Sequence, residues 1–239
     1  MKTIRNFFVP TLLMVFFMNT AVFAGNRDKT ENRNAKNFNE IKVSSGIDLY
    51  ITMGDDEKVT VVADDDIIDD LITEVKDGTL HIYMERNNRW FNWGNFNETR
   101  KAYVTVKELR KIDASSGSDV KSENTLQGES LEVEASSGSD VNLDVVYKNF
   151  SLDTSSGSDA KITGRTKNFS AEASSGSDIN ARGLESQYCR VKASSGSDAS
   201  VNVSEELVAK ASSGGDIVYY GNPKMKDTDE SSGGDIARR

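Results

Sequence analysis

Seven aspartates, Asp119, Asp140, Asp159, Asp178, Asp198, Asp216 and Asp235, recur at intervals of 18 to 21 residues. Each closes the phrase Ser-Ser-Gly-Ser-Asp, with Gly in place of the third Ser in the last two copies. Carboxylates and hydroxyls repeated in this way suggest three kinds of chemistry. If neighbouring copies stack about 4.8 Å apart, carboxylates one and two copies apart stand near the separations that glycoside hydrolysis uses. A ladder of carboxylates could instead hold calcium, as in Gly-Gly-x-Gly-x-Asp solenoids. The serines could act as nucleophiles beside a general base.

Each chemistry meets an objection in the same residues. A catalytic pair needs carboxyls whose surroundings push their pKa values apart, and these seven are alike. His81 is the only histidine and lies outside the array, between Leu80 and Ile82, so it reads as a structural strand residue. The calcium solenoids have a period of nine and glycines that this phrase lacks. No catalytic, cofactor-binding or metal-ligating residue is assigned, and calcium stays open as an alternative. Stacked carboxylates repel by about 0.9 kcal/mol in water and about 3.5 kcal/mol at an effective dielectric of twenty. Hydrogen bonds from corner amides, and Lys121, Asn142, Lys161 and Asn180 two residues on, are expected to offset that repulsion.

Two other stretches bear on function. Asn87–Arg100 carries Trp90, Phe91, Trp93 and Phe96 among polar residues, and both tryptophans of the chain are there. It reads as a ligand-contact loop suited to stacking on sugars or peptide side chains, or as a hydrophobic plug over an open end of the fold. Cys189, the only cysteine, falls at an apolar position and reads as a buried thiol. No intrachain disulfide can form.

The elements that carry these residues follow from the period. A repeat near twenty residues is the mark of a solenoid. In Leu131–Val145, one parity holds Leu131, Val133, Ala135, Ser137, Ser139, Val141, Leu143 and Val145, and the other holds polar residues. That reads as two strands flanking a bend, with aliphatic side chains inward and only Ala and Ser inward at the corner. The corner glycines are Gly117, Gly138, Gly157, Gly176, Gly196, Gly214 and Gly233, with Gly46 in an earlier copy, Val43–Asp48. Gly128, Gly164, Gly183 and Gly221 are expected to mark a second corner. The fold expected is all-β, a parallel β-helix of about twenty residues per rung with a more irregular N-terminal part. A two-sheet sandwich competes less well, since its strands seldom repeat a motif at constant spacing.

Residues 1–24 read as a signal peptide, with Lys2 and Arg5 before an apolar run from Phe7 to Val22. Residues 25–37 are polar and aperiodic and read as a flexible linker, and 38–239 form one domain. Ile41 to Ile51 alternates as a strand, Val59–Ala63 returns, Asp64–Leu71 fits one or two helical turns, and Thr73–Glu85 forms a hairpin about Asp77-Gly78. Without Lys2 and Arg5 the chain has 27 basic and 38 acidic residues, which argues against nucleic acid and anionic lipid surfaces as partners. The expected location is exported: periplasm, outer-membrane surface or medium. No transmembrane segment is expected after cleavage, and the sequence shows no evident autotransporter barrel after Asp235, so none is expected.

Three phrases in order, Phe38-x-x-Ile41-x-Val43-Ser-Ser-Gly46-Ile-Asp48-Leu-Tyr-Ile51, Thr73-Glu-Val-Lys-Asp-Gly-Thr-Leu80 and the Ser-Gly-Ser-Asp array, resemble the head GIN domain family of auto-transporter adhesins from Bacteroidetes-type bacteria. The likeness covers about residues 38–239. It implies a right-handed parallel β-helix and a role in adhesion at the cell surface, with host or matrix glycans or proteins as partners. It carries no catalytic residues over. A polysaccharide-active enzyme and a calcium-binding or structural envelope scaffold are the alternatives.

Overall fold

The computed structural model describes residues 28–85 and 98–239. It is all-β, 2% helical, a β-solenoid of about 7 turns with about 19 residues per rung. The regular part is built from β10 (Leu126–Ala135), β11 (Asp140–Thr154), β12 (Asp159–Ala173), β13 (Asp178–Ser194) and β14 (Asp198–Ser212). Each pairs in parallel with the next, so that Asp140, Asp159, Asp178 and Asp198 stand side by side. Each of β11 to β14 runs from one Ser-Ser-Gly corner to the next as a single strand. It bends at Lys148, Lys167 and Gln187, where the register passes over a residue.

Inward positions stack like on like. Leu131, Phe150, Phe169, Cys189 and Leu207 form one buried column, and Val133, Leu152, Ala171, Val191 and Ala209 another. The rings of Phe150 and Phe169 stack at 5.5 Å and 5°, which adds to the area each removes from water. Cys189 lies in this column, and burial pushes its thiol up to about 12, so it is an inert core residue.

The first copy of the motif joins the stack out of chain order. β2 (Glu40–Val43) and β3 (Asp48–Met53) lie between β6 (Thr79–Met84) with β7 (Arg100–Val106) on one side and β8 (Lys111–Ala114) with β9 (Val120–Ser122) on the other, all parallel. The 71-residue interval before the second copy is therefore an excursion that returns in register. Gly46 N–H donates to Ser116 O (3.0 Å), and Ile47 N–H to Ser118 Oγ (3.2 Å).

That excursion closes one end of the stack. β4 (Lys58–Asp64) runs antiparallel to β7, and β5 (Leu71–Lys76) antiparallel to β6. Asp64–Leu71, read as one or two helical turns, is the end of β4 and a single 3₁₀ turn, Ile68–Asp70. Ile68 and Leu71 are wholly buried, so the segment is spent on covering the core and too few residues remain for an α-turn ladder. The expected linker is also corrected in part: Asp28–Arg33 forms β1, antiparallel to β4. A polar, aperiodic stretch can be a strand where its backbone satisfies an otherwise open edge. Arg33 Nη2 further donates to Ile68 O at 2.9 Å.

The other end is finished by β15 (Asp216–Tyr220), β16 (Met225–Glu230) and β17 (Asp235–Arg238). Here the inward register falls on polar residues: Lys226, Thr228 and Glu230 oppose Leu207, Ala209 and Ala211. A terminal rung with charge at core positions discourages further stacking.

Candidate functional site

The conspicuous repeat is a corner held by its own backbone. At every copy Ser and Gly take left-handed conformations in succession, as at Ser137 (φ 57°) and Gly138 (φ 71°). Gly138 N–H then donates to Ser156 O of the next rung at 3.2 Å. Two consecutive left-handed residues break the alternation, so Ser137 points to solvent and only Ser139 is inward. This corrects the expectation that both face the core. The Ser139 hydroxyl lies 2.9 Å from Ala114 O and 2.8 Å from Ser136 O, and accepts from Ser136 N–H. Ser177 and Ser197 reach the carbonyls of Thr154 and Ala173 in the same way. Where Gly215 and Gly234 replace this Ser, a direct turn bond closes the corner instead: Gly215 N–H to Ser212 O and Gly234 N–H to Ser231 O, both 3.0 Å.

Of the four glycines expected at a second corner, Gly164 (φ 111°) and Gly221 (φ 94°) do turn the chain there. Gly128 and Gly183 occupy different registers, opposite Tyr147 and Thr163, with ordinary φ. The second bend is irregular, so glycine does not recur at one fixed place.

The aspartates form a continuous line. Asp140, Asp159, Asp178, Asp198, Asp216 and Asp235 are direct partners, with Asp119 and Asp48 beyond Asp140. Asp48, Asp119, Asp140, Asp159 and Asp178 edge a groove of about 560 Å³ that also contains Tyr50, Lys121, Asn142, Lys161 and Asn180. Burial, then the charges of Asp140 and Asp48, raise the carboxyl of Asp119, while a backbone N–H from Asp140 lowers it. Burial and the neighbours Asp178 and Asp216 raise that of Asp198. The expected relief by lysine takes a different form. Lys121 bonds Glu123 at 2.9 Å, and among the described residues no ion pair joins a ladder aspartate to Lys121 or Lys161. Nor do three or more acidic, His or Cys groups converge as a metal centre among the described residues. The carboxylates stand one per rung, in line.

A second groove, of about 840 Å³, runs beside the irregular bend. Ser130, Asn149, Asn168, Tyr188 and Glu206 are register partners along it. Asn168 Nδ2 donates to Asn149 Oδ1 at 2.8 Å, and Asn149 Nδ2 to Ser130 Oγ at 3.2 Å. Ser151 and Ser170 line the trough next to them, and Tyr188 is 40% exposed. None of these residues was singled out from the sequence, although a signal exists. Lys-Asn-Phe-Ser occurs at 148–151 and again at 167–170, and each of the five register partners stands eight residues before a corner glycine. The louder Ser-Ser-Gly motif masks it.

The expected aromatic contact residues, Trp90, Phe91, Trp93 and Phe96, lie outside the described residues. His81 sits on β6, opposite Glu74 and Lys42. Solenoid, stacked structural corners and long lateral grooves together define a repeat protein that presents extended faces.

Comparison with known proteins supplies the family. The chain belongs to the family described as "Putative auto-transporter adhesin, head GIN domain", which matches residues 37–223. Solved structures share the fold. A "putative adhesin" from Bacteroides fragilis is similar at TM-score 0.83 and 21% identity, covering 90% of this chain and 98% of that one. A "putative adhesin" from Parabacteroides distasonis follows at TM-score 0.71 and 20% identity, and a "Putative lipid binding protein" from the same species at 0.65 and 20%, both over 90% of this chain and 98% of theirs. No curated protein matches the chain.

Proposed function

We propose that the chain is an exported, cell-surface binding module of adhesin type that holds an extended ligand along its side and performs no catalysis. The observation that carries this reading is uniformity. The Asp ladder and the Ser-Ser-Gly corners repeat from rung to rung, whereas a catalytic centre is a local exception in a fold. The inward corner hydroxyls of Ser139, Ser177 and Ser197 are engaged with carbonyls in the core, and the solvent-facing ones repeat without a histidine in the array. Family membership supports both the adhesive role and the exported location. A solenoid exposes a long face at small cost in ordering, because each rung is already fixed by its neighbours.

The test is an array of glycans and matrix proteins probed with the mature chain, with released sugar assayed in parallel. Retention of ligand without turnover is expected. Cleavage of a bound polysaccharide, or no binding to any surface, would overturn the reading.

A further inference from the structure

We propose that the groove lined by Ser130, Asn149, Asn168 and Tyr188 is a binding site for an extended, neutral, hydroxyl-rich glycan. The inference rests on the binding-module reading above and assigns it a place and a ligand class.

The chemistry of the groove selects that class. The amides of Asn149 and Asn168 are each both donor and acceptor, and they already orient one another by the 2.8 Å bond between them. Asn149 gives its two amide hydrogens to Ser130 Oγ and Glu129 O, so the pair leaves a ligand one N–H and the Oδ1 of Asn168 and a lone pair on Asn149 Oδ1, set one rung apart, about 4.8 Å. The hydroxyls of Ser151 and Ser170 add a second row in the trough. Tyr188 continues the amide line with an exposed ring, whose face suits the C–H surface of a sugar. From Ser130 to Glu206 the line crosses four rung steps, roughly 19 Å, enough for several sugar units.

Charge and backbone exclude the competitors. Most charges of the walls are already answered: Glu108 by Arg110, Glu129 by Lys148 and Glu132 by Lys111. Arg190 and Glu206 leave one charge of each sign, and Lys111 is shared with Glu134, so the groove has no cluster of one sign strong enough to hold an ionic polymer. An extended peptide would look for a free strand edge or for open apolar pockets. The strands under this groove are paired on both sides, and Phe150 and Phe169 beneath it are only 2% and 3% exposed.

The experiment is calorimetric titration of the mature chain with cellohexaose, xylohexaose, mannohexaose and maltohexaose, repeated with Tyr188→Ala, Tyr188→Phe, Asn149→Ala/Asn168→Ala and, in the aspartate groove, Asp159→Asn. Thermal melts confirm that each variant is folded. At least one hexaose should bind the wild type. Tyr188→Ala and the double amide variant should each weaken that binding about tenfold, while Tyr188→Phe and Asp159→Asn leave it within about twofold. A tenfold rise in salt should leave it unchanged. Failure of all four hexaoses, indifference to the groove variants, or collapse of binding in salt overturns the assignment. If array binding of another ligand persists through the groove variants, the assignment falls while the binding-module reading stands. If the array is blank as well, both fall.

Discussion

At the scale of single residues, the corner and the second bend use glycine for different reasons, and substitution separates them. Gly138 has a left-handed φ of 71° with open space where a Cβ would be, whereas a Cβ at Gly164 would stand 2.1 Å from Val145 O. Gly138→Ala should cost about 1–2 kcal/mol, the strain of the left-handed region alone. Gly164→Ala should cost more, because a backbone carbonyl must move and the rung ladder with it. Urea titrations of the two variants check the order. The ladder aspartates make a second residue-scale prediction. Asp198 has a carboxyl raised by burial and by like-charged neighbours, so the folded state holds its proton more tightly than the unfolded state does. Such a group favours folding at acid pH, and that contribution is lost as pH rises through the folded value. Asp198→Asn should therefore melt above the wild type at pH 7, with the gap closing as pH falls through the raised folded value to the usual carboxylate range near about 4. A variant melting lower than wild type at pH 7 would show that the carboxylate is favourably held there.

At the scale of elements, register decides what composition hides. The rungs of β10 to β14 were legible because inward aliphatic positions and the corner phrase recur together at a constant interval. The insertion of β2 and β3 between β6/β7 and β8/β9 was not legible: the early motif copy signals a corner, but nothing local states which strands it will lie between. Asp28–Arg33 has no apolar period, since as β1 it serves by backbone pairing with β4, with side chains mostly exposed. The groove residues were hidden for a related reason. Asn149, Asn168 and Tyr188 differ in type, and only their common distance from the corner aligns them. One consequence concerns β1. Deleting residues up to Arg33 leaves β4 as an open edge and removes the Arg33 bond to Ile68 O. The truncated chain should show concentration-dependent association by sedimentation, where the mature chain does not. A truncated chain that stays monomeric and equally stable would mean that β4 needs no cover.

At the scale of the molecule, the stack is closed at one end by β1, β4 and β5 and ends at the other in a rung with polar core positions, so both ends discourage growth. The long sides between them remain, and one side carries the repeated corners while another carries the amide-lined groove. The central claim is that the corners build the fold and the groove does the binding. Hydrogen exchange of the mature chain, with and without the hexaose that binds it, tests this division. The account predicts that added protection falls on the segments around 128–132, 149–151, 168–170 and 188–190, while Ser-Ser-Gly-Ser-Asp exchange stays unchanged. Protection gained along the Asp ladder, with the groove segments unaltered, would contradict it.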